Sequence, residues 1–375
     1  MTCKLDFSSV TSSQFMFNFL KSLLGKPVER QLQILPQGIT VRIEPGKTLL
    51  ETALANGVAF PHDCTVGTCA SCKSKLKQGR VREATPFGYT LSKQELDAGF
   101  ILACQAFPRD ELTIVEIEAP GANLPPVESF TGTITETEAL THDILKVTVR
   151  TDRKINYVAG QYASIKAPGL SRARHYSFAD APQREGRSDL HFFIRKVPGG
   201  AFTDALFSGK LTGQPLEIDG PHGNFHLRNG NVPMVCVVGG SGLAPLLSVL
   251  EQARKSRINR PCTLVFGART QADLYMLETL CGMGDGWLGS YTFVPVLSHE
   301  PMDSDWVGAR GMVTDFIANA AGDIDWNHAE AYMCGPPPMI DAAISRLMDF
   351  GMPLEAIYFD KFTDGKDAAD IGTCH

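Results

Sequence analysis

His62-Asp63-Cys64-Thr65-Val66-Gly67-Thr68-Cys69-Ala70-Ser71-Cys72 carries three cysteines, spaced C-x4-C-x2-C, and a fourth, Cys104, follows after 31 further residues. That spacing is the plant-type arrangement of a [2Fe–2S] site. Two ferric ions bridged by two sulfides need four thiolates, and three must come from one tight loop whose backbone N–H groups can face the sulfurs. Gly67 and the small Thr68, Ala70 and Ser71 let the chain wrap that closely. A structural zinc site, the rival reading, prefers paired C-x2-4-C units, whereas here the last cysteine stands alone. Cys64, Cys69, Cys72 and Cys104 are therefore the expected metal ligands.

Working outward, Gln31 to Leu35 and Ile39 to Ile43 alternate apolar and polar about a Pro36-Gln37-Gly38 turn, which predicts a β-hairpin. Thr48 with Glu51 forms a capping box; Leu49, Leu50, Ala53 and Leu54 supply a buried stripe, and Gly57 ends the helix. Lys73, Lys75, Lys77, Arg80 and Arg82 line the next strand. They have two readings, a patch that steers an acidic partner toward the cysteines or a merely solvated face, and the second is the commoner fate of such runs. The Pro- and Gly-rich stretch from Ala119 to Pro126 closes a first domain over 28–121.

Size and composition set limits on the rest. A chain of 375 residues with 43% hydrophobic and 20% charged residues suits two or three soluble globular domains. The net charge of −6 argues against nucleic acid as a partner. Six of the ten cysteines are scattered, and residues 1–25 lack a cleavable secretory pattern, so a reducing cytoplasm is expected. No run is long and apolar enough to cross a bilayer. Residues 1–27, with Phe15-Met16-Phe17-Asn18-Phe19-Leu20, have two readings: a short helix lying on the inner face of a membrane or on a partner, or a leader packed loosely on the first domain.

Residues 127–228 read as short strands split by turns, Phe130 to Thr135, Ile144 to Val149, Gln161 to Lys166 and Leu190 to Arg195, which favours an antiparallel barrel. Residues 229–375 change grammar. Val235 to Val238, a Gly-rich turn, a helical stretch from Leu243 to Ala253 and a second strand, Thr263 to Phe266, predict a parallel α/β sheet. The turn Gly239-Gly240-Ser241-Gly242 suits a pyrophosphate, although a purely structural turn is its rival. It departs from the Rossmann fingerprint, with Pro245 where a third glycine would stand and Arg269 where an acid would meet the ribose. A second Gly–Pro turn, Cys334-Gly335-Pro336-Pro337-Pro338-Met339, lies between an apolar strand and a helix; Cys334 alone would read as a buried strand cysteine.

With the cysteine spacing, Arg174-His175-Tyr176-Ser177, the Gly239 to Pro245 turn and the Cys334 to Met339 segment in one order, the chain resembles the ferredoxin–NADP reductase superfamily with an N-terminal plant-type ferredoxin domain. His62-Asp63-Cys64, Arg310-Gly311-Met312-Val313-Thr314 and Cys334 to Ala343 are most similar to the electron-transfer components of xylene-monooxygenase-type systems. The resemblance implies a β-grasp [2Fe–2S] domain, a β-barrel holding FAD and an α/β domain taking NADH. It implies that Arg174 contacts the FAD phosphates, that Tyr176 packs on the isoalloxazine and that Ser177 hydrogen-bonds near flavin N5. Gly199, Gly200 and Thr203 would close over the FAD pyrophosphate, with Thr203 starting a helix. Gly239, Gly240, Ser241 and Gly242 would hold the NADH pyrophosphate, with Ser241 in place of the commoner Thr. Cys334 would sit beside the nicotinamide, with Gly335, Pro336 and Met339 around it. An aromatic residue of Phe359-Asp360-Lys361-Phe362 would shield the flavin, with residues 363–375 as a flexible tail.

Catalysis would then fall to Tyr176, Ser177 and Cys334. NADH gives up two electrons at once and a cluster accepts one, and a flavin between them can do both. Arg269 suits a 2′-phosphate and Asp273 would repel one, which leaves NADH the expected donor. The expected partner is a terminal hydroxylase, foremost a membrane di-iron enzyme acting on aromatic or alkyl substrates, and the expected state is a monomer. A Rieske dioxygenase, a soluble di-iron monooxygenase or a deoxysugar dehydrase are rival acceptors. A non-catalytic flavin and iron–sulfur redox sensor is the rival of another class.

Overall fold

The computed structural model describes residues 29–58, 60–62, 67, 70–117, 124–170 and 172–362. The leader, Cys64 and Cys69, most of the Pro- and Gly-rich linker and the tail beyond Phe362 lie outside the described residues.

The first sheet starts from the expected hairpin, β1 (Arg30–Leu35) and β2 (Ile39–Ile43). Leu32 and Ile34 point into the core while Gln31 and Gln33 do not, the period-2 pattern of a sheet with one face covered. The covering element is the helix Leu49–Ala55, whose capping box forms as expected and which buries Leu49, Leu50 and Ala53. Leu54, expected in that stripe, is 38% exposed, because a seven-residue helix presents a narrow face and Leu54 falls at its edge. Then come β3 (Lys73–Gln78), β4 (Val81–Glu83), β5 (Phe100–Leu102), β6 (Ala106–Pro108) and β7 (Leu112–Ile117). The order β2-β1-β7-β3-β5, with β1 parallel to β7 and one helix across the sheet, is a β-grasp.

The second sheet is antiparallel: β8 (Glu128–Ala139), β9 (Ile144–Ile155), β10 (Tyr162–Lys166), β11 (Arg174–Ser177), β12 (Arg187–Arg195) and β13 (Pro215–His222). Its order is β11-β10-β13-β8-β9-β12, and a bridge between Phe178 and Phe192 ties one edge to the other, so the sheet curls into a barrel. β13 escaped the sequence reading. Pro215 and Gly220-Pro221 obscure the alternation of Leu216 and Ile218, since both residue types usually mark the end of a strand.

The third sheet is parallel throughout: β14 (Met234–Gly239), β15 (Cys262–Ala268), β16 (Tyr291–Leu297), β17 (Ala309–Arg310), β18 (Glu330–Gly335) and β19 (Ile357–Lys361). The order β17-β16-β15-β14-β18-β19 reverses direction beside β14, the place where an open α/β sheet leaves a crevice at its carboxyl edge. Barrel and parallel sheet share one apolar cluster: Ile144, Ala179, Phe193 and Phe225 of the barrel pack with Leu243, Leu247 and Tyr275. The Ser248 hydroxyl donates to the Asp180 carbonyl across the same seam.

At the base of the third sheet Arg260 is fully buried. Its guanidinium donates to the Val232 carbonyl at 2.5 Å and pairs with Glu330 at 2.7 Å, and Tyr332 donates to the same carboxylate. Arg260→Met would strand the Glu330 charge in an apolar setting and is expected to cost about 3 kcal/mol of unfolding free energy. Urea denaturation would check this, and a cost below about 1 kcal/mol would mean the pair is solvated.

Candidate functional site

The cluster end is built by two turns brought together beside β3. Cys72 ends the cysteine loop and Cys104 sits in the short turn after β5; both are buried, and the Cys104 N–H points at Cys72 Sγ at 3.4 Å. The Gln105 amide reaches Cys104 Sγ at 3.7 Å. Two thiols with N–H donors aimed at them form the donor environment that a thiolate-ligated cluster needs. Gly67 has φ +86°, and a side chain there would strike Gln105 at 2.7 Å, so the loop can run this close only with glycine. Ala70 holds φ +56°, a conformation that L residues rarely adopt, and it places Cys72 at the head of β3.

The basic stretch proves to be internally satisfied. Lys73 pairs with Glu95 at 2.8 Å, Lys77 with Glu116 at 3.2 Å and Arg80 with Asp110 at 2.8 Å. Lys75 lies over the Phe100 ring and Arg82 over Phe107. Most of these charges thus have partners within the chain.

In the barrel, Arg174 and the segment after β12 do meet. Gly169, Leu170, Arg172, Arg174, Ala201 and Phe202 line one cavity of about 210 Å³. Its two guanidinium-bearing residues suit a pyrophosphate. Tyr176 presents a half-buried ring beside Phe202, centroids 5.3 Å apart, and burial pushes its hydroxyl up, so it stays a neutral stacking surface. Ser177 is buried at the end of β11, opposite Tyr162. Gly199 holds φ +72°. Gly200 precedes the helix Ala201–Phe207, and its N–H is committed to the Val197 carbonyl at 2.9 Å. Thr203 is the third helical residue rather than the first. Its hydroxyl accepts from the Val197 N–H and donates back to the 197–200 turn, so it shapes the loop instead of opening the helix.

In the parallel sheet the four glycine-turn residues divide by role. Side chains at Gly239 or Gly242 would strike Met339 Sδ at 2.7 Å and the Cys334 carbonyl at 2.4 Å. Those two glycines and Met339 bring the turn against β18. Gly240, at φ +55°, and Ser241 are only half-buried and follow the carboxyl end of β14, where such a sheet leaves its crevice. Tyr275 braces the turn by donating to the Gly240 carbonyl at 2.9 Å, and Arg195, held by Asp143 at 2.7 Å, reaches over it from the barrel. Neither Tyr275 nor Arg195 was singled out as a site residue in the sequence, although Arg195 opens the Val197-Pro198-Gly199-Gly200 segment; what marks them is tertiary proximity. Cys334, the last residue but one of β18, is fully buried, and burial, then the Asp360 carboxylate, push its thiol well up, so it is neutral. Gly335 has φ +153° and Pro336 caps the helix Pro337–Asp349. Arg269 is exposed at the end of β15. The Asp273 carboxylate, four residues on, accepts from the Thr270 N–H and hydroxyl at 2.9 and 3.0 Å. Glu300 and Asp305 both accept from Gln271, two residues after Arg269.

Three family matches run along the chain in this order: a 2Fe-2S iron-sulfur cluster binding domain over residues 32–109, an oxidoreductase FAD-binding domain over 131–227 and an oxidoreductase NAD-binding domain over 234–344. Fold and sites thus define an electron-transferring oxidoreductase that uses a [2Fe–2S] cluster, FAD and NADH. The xylene/toluene monooxygenase electron transfer component XylA of Pseudomonas putida is 40% identical over 346 residues, 92% of this chain and 97% of that protein. The phenol 2-monooxygenase reductase component DmpP of Pseudomonas sp. (strain CF600) is 35% identical, covering 89% and 94%. Among solved structures, the Amycolatopsis cytochrome P450 reductase GcoB superposes with a TM-score of 0.68 at 33% identity, over 89% of this chain and 99% of that one. The chain belongs to the reductase components of multicomponent oxygenases, which transfer electrons to an oxygenase component.

Two outcomes follow from the site geometry. Gly242→Ala should destabilise the protein by about 1–3 kcal/mol through overpacking against the β18 backbone, whereas Ser241→Ala should leave Tm unchanged and raise KM for NADH; equal Tm for both would refute the division of roles. Iodoacetamide at pH 8 should label exposed Cys281 while sparing Cys236, Cys262 and Cys334, which are almost wholly buried. Mass spectrometry of the native protein would read this, with Cys334 labelling at the Cys281 rate as the contrary result.

Proposed function

We propose that this chain takes electrons from NADH and hands them singly to the terminal hydroxylase of a xylene-monooxygenase-type system. The carrying observation is that cysteine turns, Arg174 cavity and glycine-turn crevice occupy successive domains of one chain, the last two across a shared core. We take 28–121, 127–228 and 229–375 as the three domains. Cys64, Cys69, Cys72 and Cys104 hold the cluster. Arg174 and the turn Gly199-Gly200, shaped by Thr203, grip the FAD pyrophosphate, while Tyr176 and Ser177 line the flavin ring. Ser241 and Gly240 receive the NADH pyrophosphate, Arg269 the adenosine end, and Cys334, Gly335, Pro336 and Met339 form the floor beneath the nicotinamide. When bound, FAD accepts two electrons together and releases them one at a time, which neither NADH nor the cluster does.

This chain's residues orient and exclude. Buried Ser177 holds a hydroxyl at the end of β11, and fully buried, neutral Cys334 keeps negative charge out of the strand end over which the nicotinamide lies. The partner follows from the 40% identity to the xylene/toluene component across nearly the whole of both chains. A monomer working in the cytoplasm, touching the inner face of the membrane through residues 1–27, fits that partner. Among the described residues no helix is long and apolar enough to cross a membrane.

Anaerobic stopped-flow mixing with NADH should show flavin bleaching first and loss of cluster absorbance second, with NADH favoured over NADPH in kcat/KM by about tenfold or more. Bleaching without cluster reduction would remove the four-cysteine site from the electron exit. Reconstitution with hydroxylases of the membrane di-iron, soluble di-iron and cytochrome P450 kinds would test the acceptor; fastest coupled turnover with either of the last two would overturn the proposed partner.

A further inference from the structure

Lys73 directly follows Cys72 and lies opposite Leu102, two residues before Cys104, so both described cluster cysteines frame it. Its ammonium group is held at 2.8 Å by Glu95, a carboxylate that is almost fully buried and whose other oxygen accepts from the Ser92 N–H at 2.8 Å. The same ammonium lies 5.2 Å from the Phe100 ring centroid and 5.7 Å from that of Phe359. Phe100 belongs to the first domain. Phe359 belongs to β19, on the far side of the molecule's first domain boundary.

Next to Glu95, the Gln94 side-chain amide donates to the Ser345 hydroxyl of the Pro337–Asp349 helix at 2.7 Å. Among the described residues the contacts of the first domain with the third include a charged one and a neutral one, and Glu95, next to Gln94 and paired with Lys73, joins them. Both receiving elements adjoin residues assigned above to the nucleotide site. Phe359 pairs with Met333 and Asp360 with Cys334 in the β18–β19 register, and the Pro337–Asp349 helix begins directly after Pro336. Phe359 is also flanked by Lys361, itself buried and paired with Asp341 at 2.8 Å on that helix, so the surface presented to Lys73 is rigid.

We propose that Lys73, with Glu95 and Gln94, is a docking latch that seats the cluster domain on Phe359 and Ser345 and thereby sets the rate at which electrons pass from flavin to cluster. This rests on the reading that Cys72 ligates the cluster and that the barrel holds the flavin. Lys73 is a positioning residue: in the step it governs, one electron leaves the reduced flavin and adds to the oxidised cluster, and no bond at the latch is made or broken. Electron transfer between fixed centres falls steeply with separation, so a small loss of seating appears in that step. Hydride delivery from NADH uses only the second and third domains, which share a core, and is independent of the latch.

The test uses the full-length holoprotein and the variants Gln94→Ala, Lys73→Gln and Lys73→Arg. Lys73→Gln leaves Glu95 buried and unpaired, so Gln94→Ala, which touches no buried charge, guards against a folding defect; an unchanged cluster EPR signal confirms an intact first domain. Loss of one such contact should slow cluster reduction by about three- to tenfold, with flavin bleaching by NADH unchanged. Lys73→Arg should restore most of the rate. Hydrogen exchange should rise at 93–97 and 341–349 in Gln94→Ala and Lys73→Gln, a readout that needs no turnover. Cluster reduction at the wild-type rate together with unchanged exchange in both variants would overturn the latch. If the wild-type cluster is never reduced, the proposed electron route itself fails, a separate result.

Discussion

The apolar seam between barrel and parallel sheet is the contact on which the chemistry depends. Ile144, Ala179, Phe193 and Phe225 enter the same cluster as Leu243, Leu247, Phe266 and Tyr275, so two domains with separate sheets behave as one packed body. Cores of this density transmit position rather than yield. The cavity beside Arg174 lies in the barrel and the glycine turn in the parallel sheet, and at Gly240 Arg195 of the barrel and Tyr275 of the sheet meet. Hydride transfer demands this, because donor and acceptor must lie in contact at a defined angle.

The cluster domain is held differently. Its core of Leu32, Ile34, Leu49, Leu50, Leu102 and Val115 is complete in itself, and its contacts with the third domain include a neutral hydrogen bond and a lysine over an aromatic ring. A polar interface suits a module that must pass electrons inward and outward, since single electrons, unlike hydrides, cross a gap. The same economy explains the basic stretch on β3. Charges that looked available to a partner are spent on Glu95, Glu116 and Asp110, and Lys73 is turned toward the chain's own third domain.

The glycine turn shows how one motif serves two physical ends. Gly239 and Gly242 are required because Met339 and the Cys334 carbonyl occupy the space a side chain would take, whereas Gly240 answers to its positive φ and to the open crevice. Pro245 can stand where the Rossmann pattern has a third glycine because the close packing is already supplied at Gly242, one turn earlier.

What the amino-acid sequence determined by itself was whatever depends on neighbours along the chain: the cysteine spacing, the hairpin, the capping box at Thr48 and the strand–turn–helix at Val235 to Leu243. Those are local stereochemistry, and they were legible. Leu54, Thr203, β13 and the partners of the lysine stretch were not, because exposure at a helix edge, a hydroxyl folded back on its own loop and a proline-bearing strand are settled by what packs against them. The roles of Arg195, Tyr275, Lys73 and Phe359 belong wholly to the tertiary structure. Arg195, Lys73 and Phe359 each come from one domain and meet another, Tyr275 braces a turn 35 positions back in its own, and no periodicity within a segment records a contact between residues such as Gln94 and Ser345, 251 positions apart.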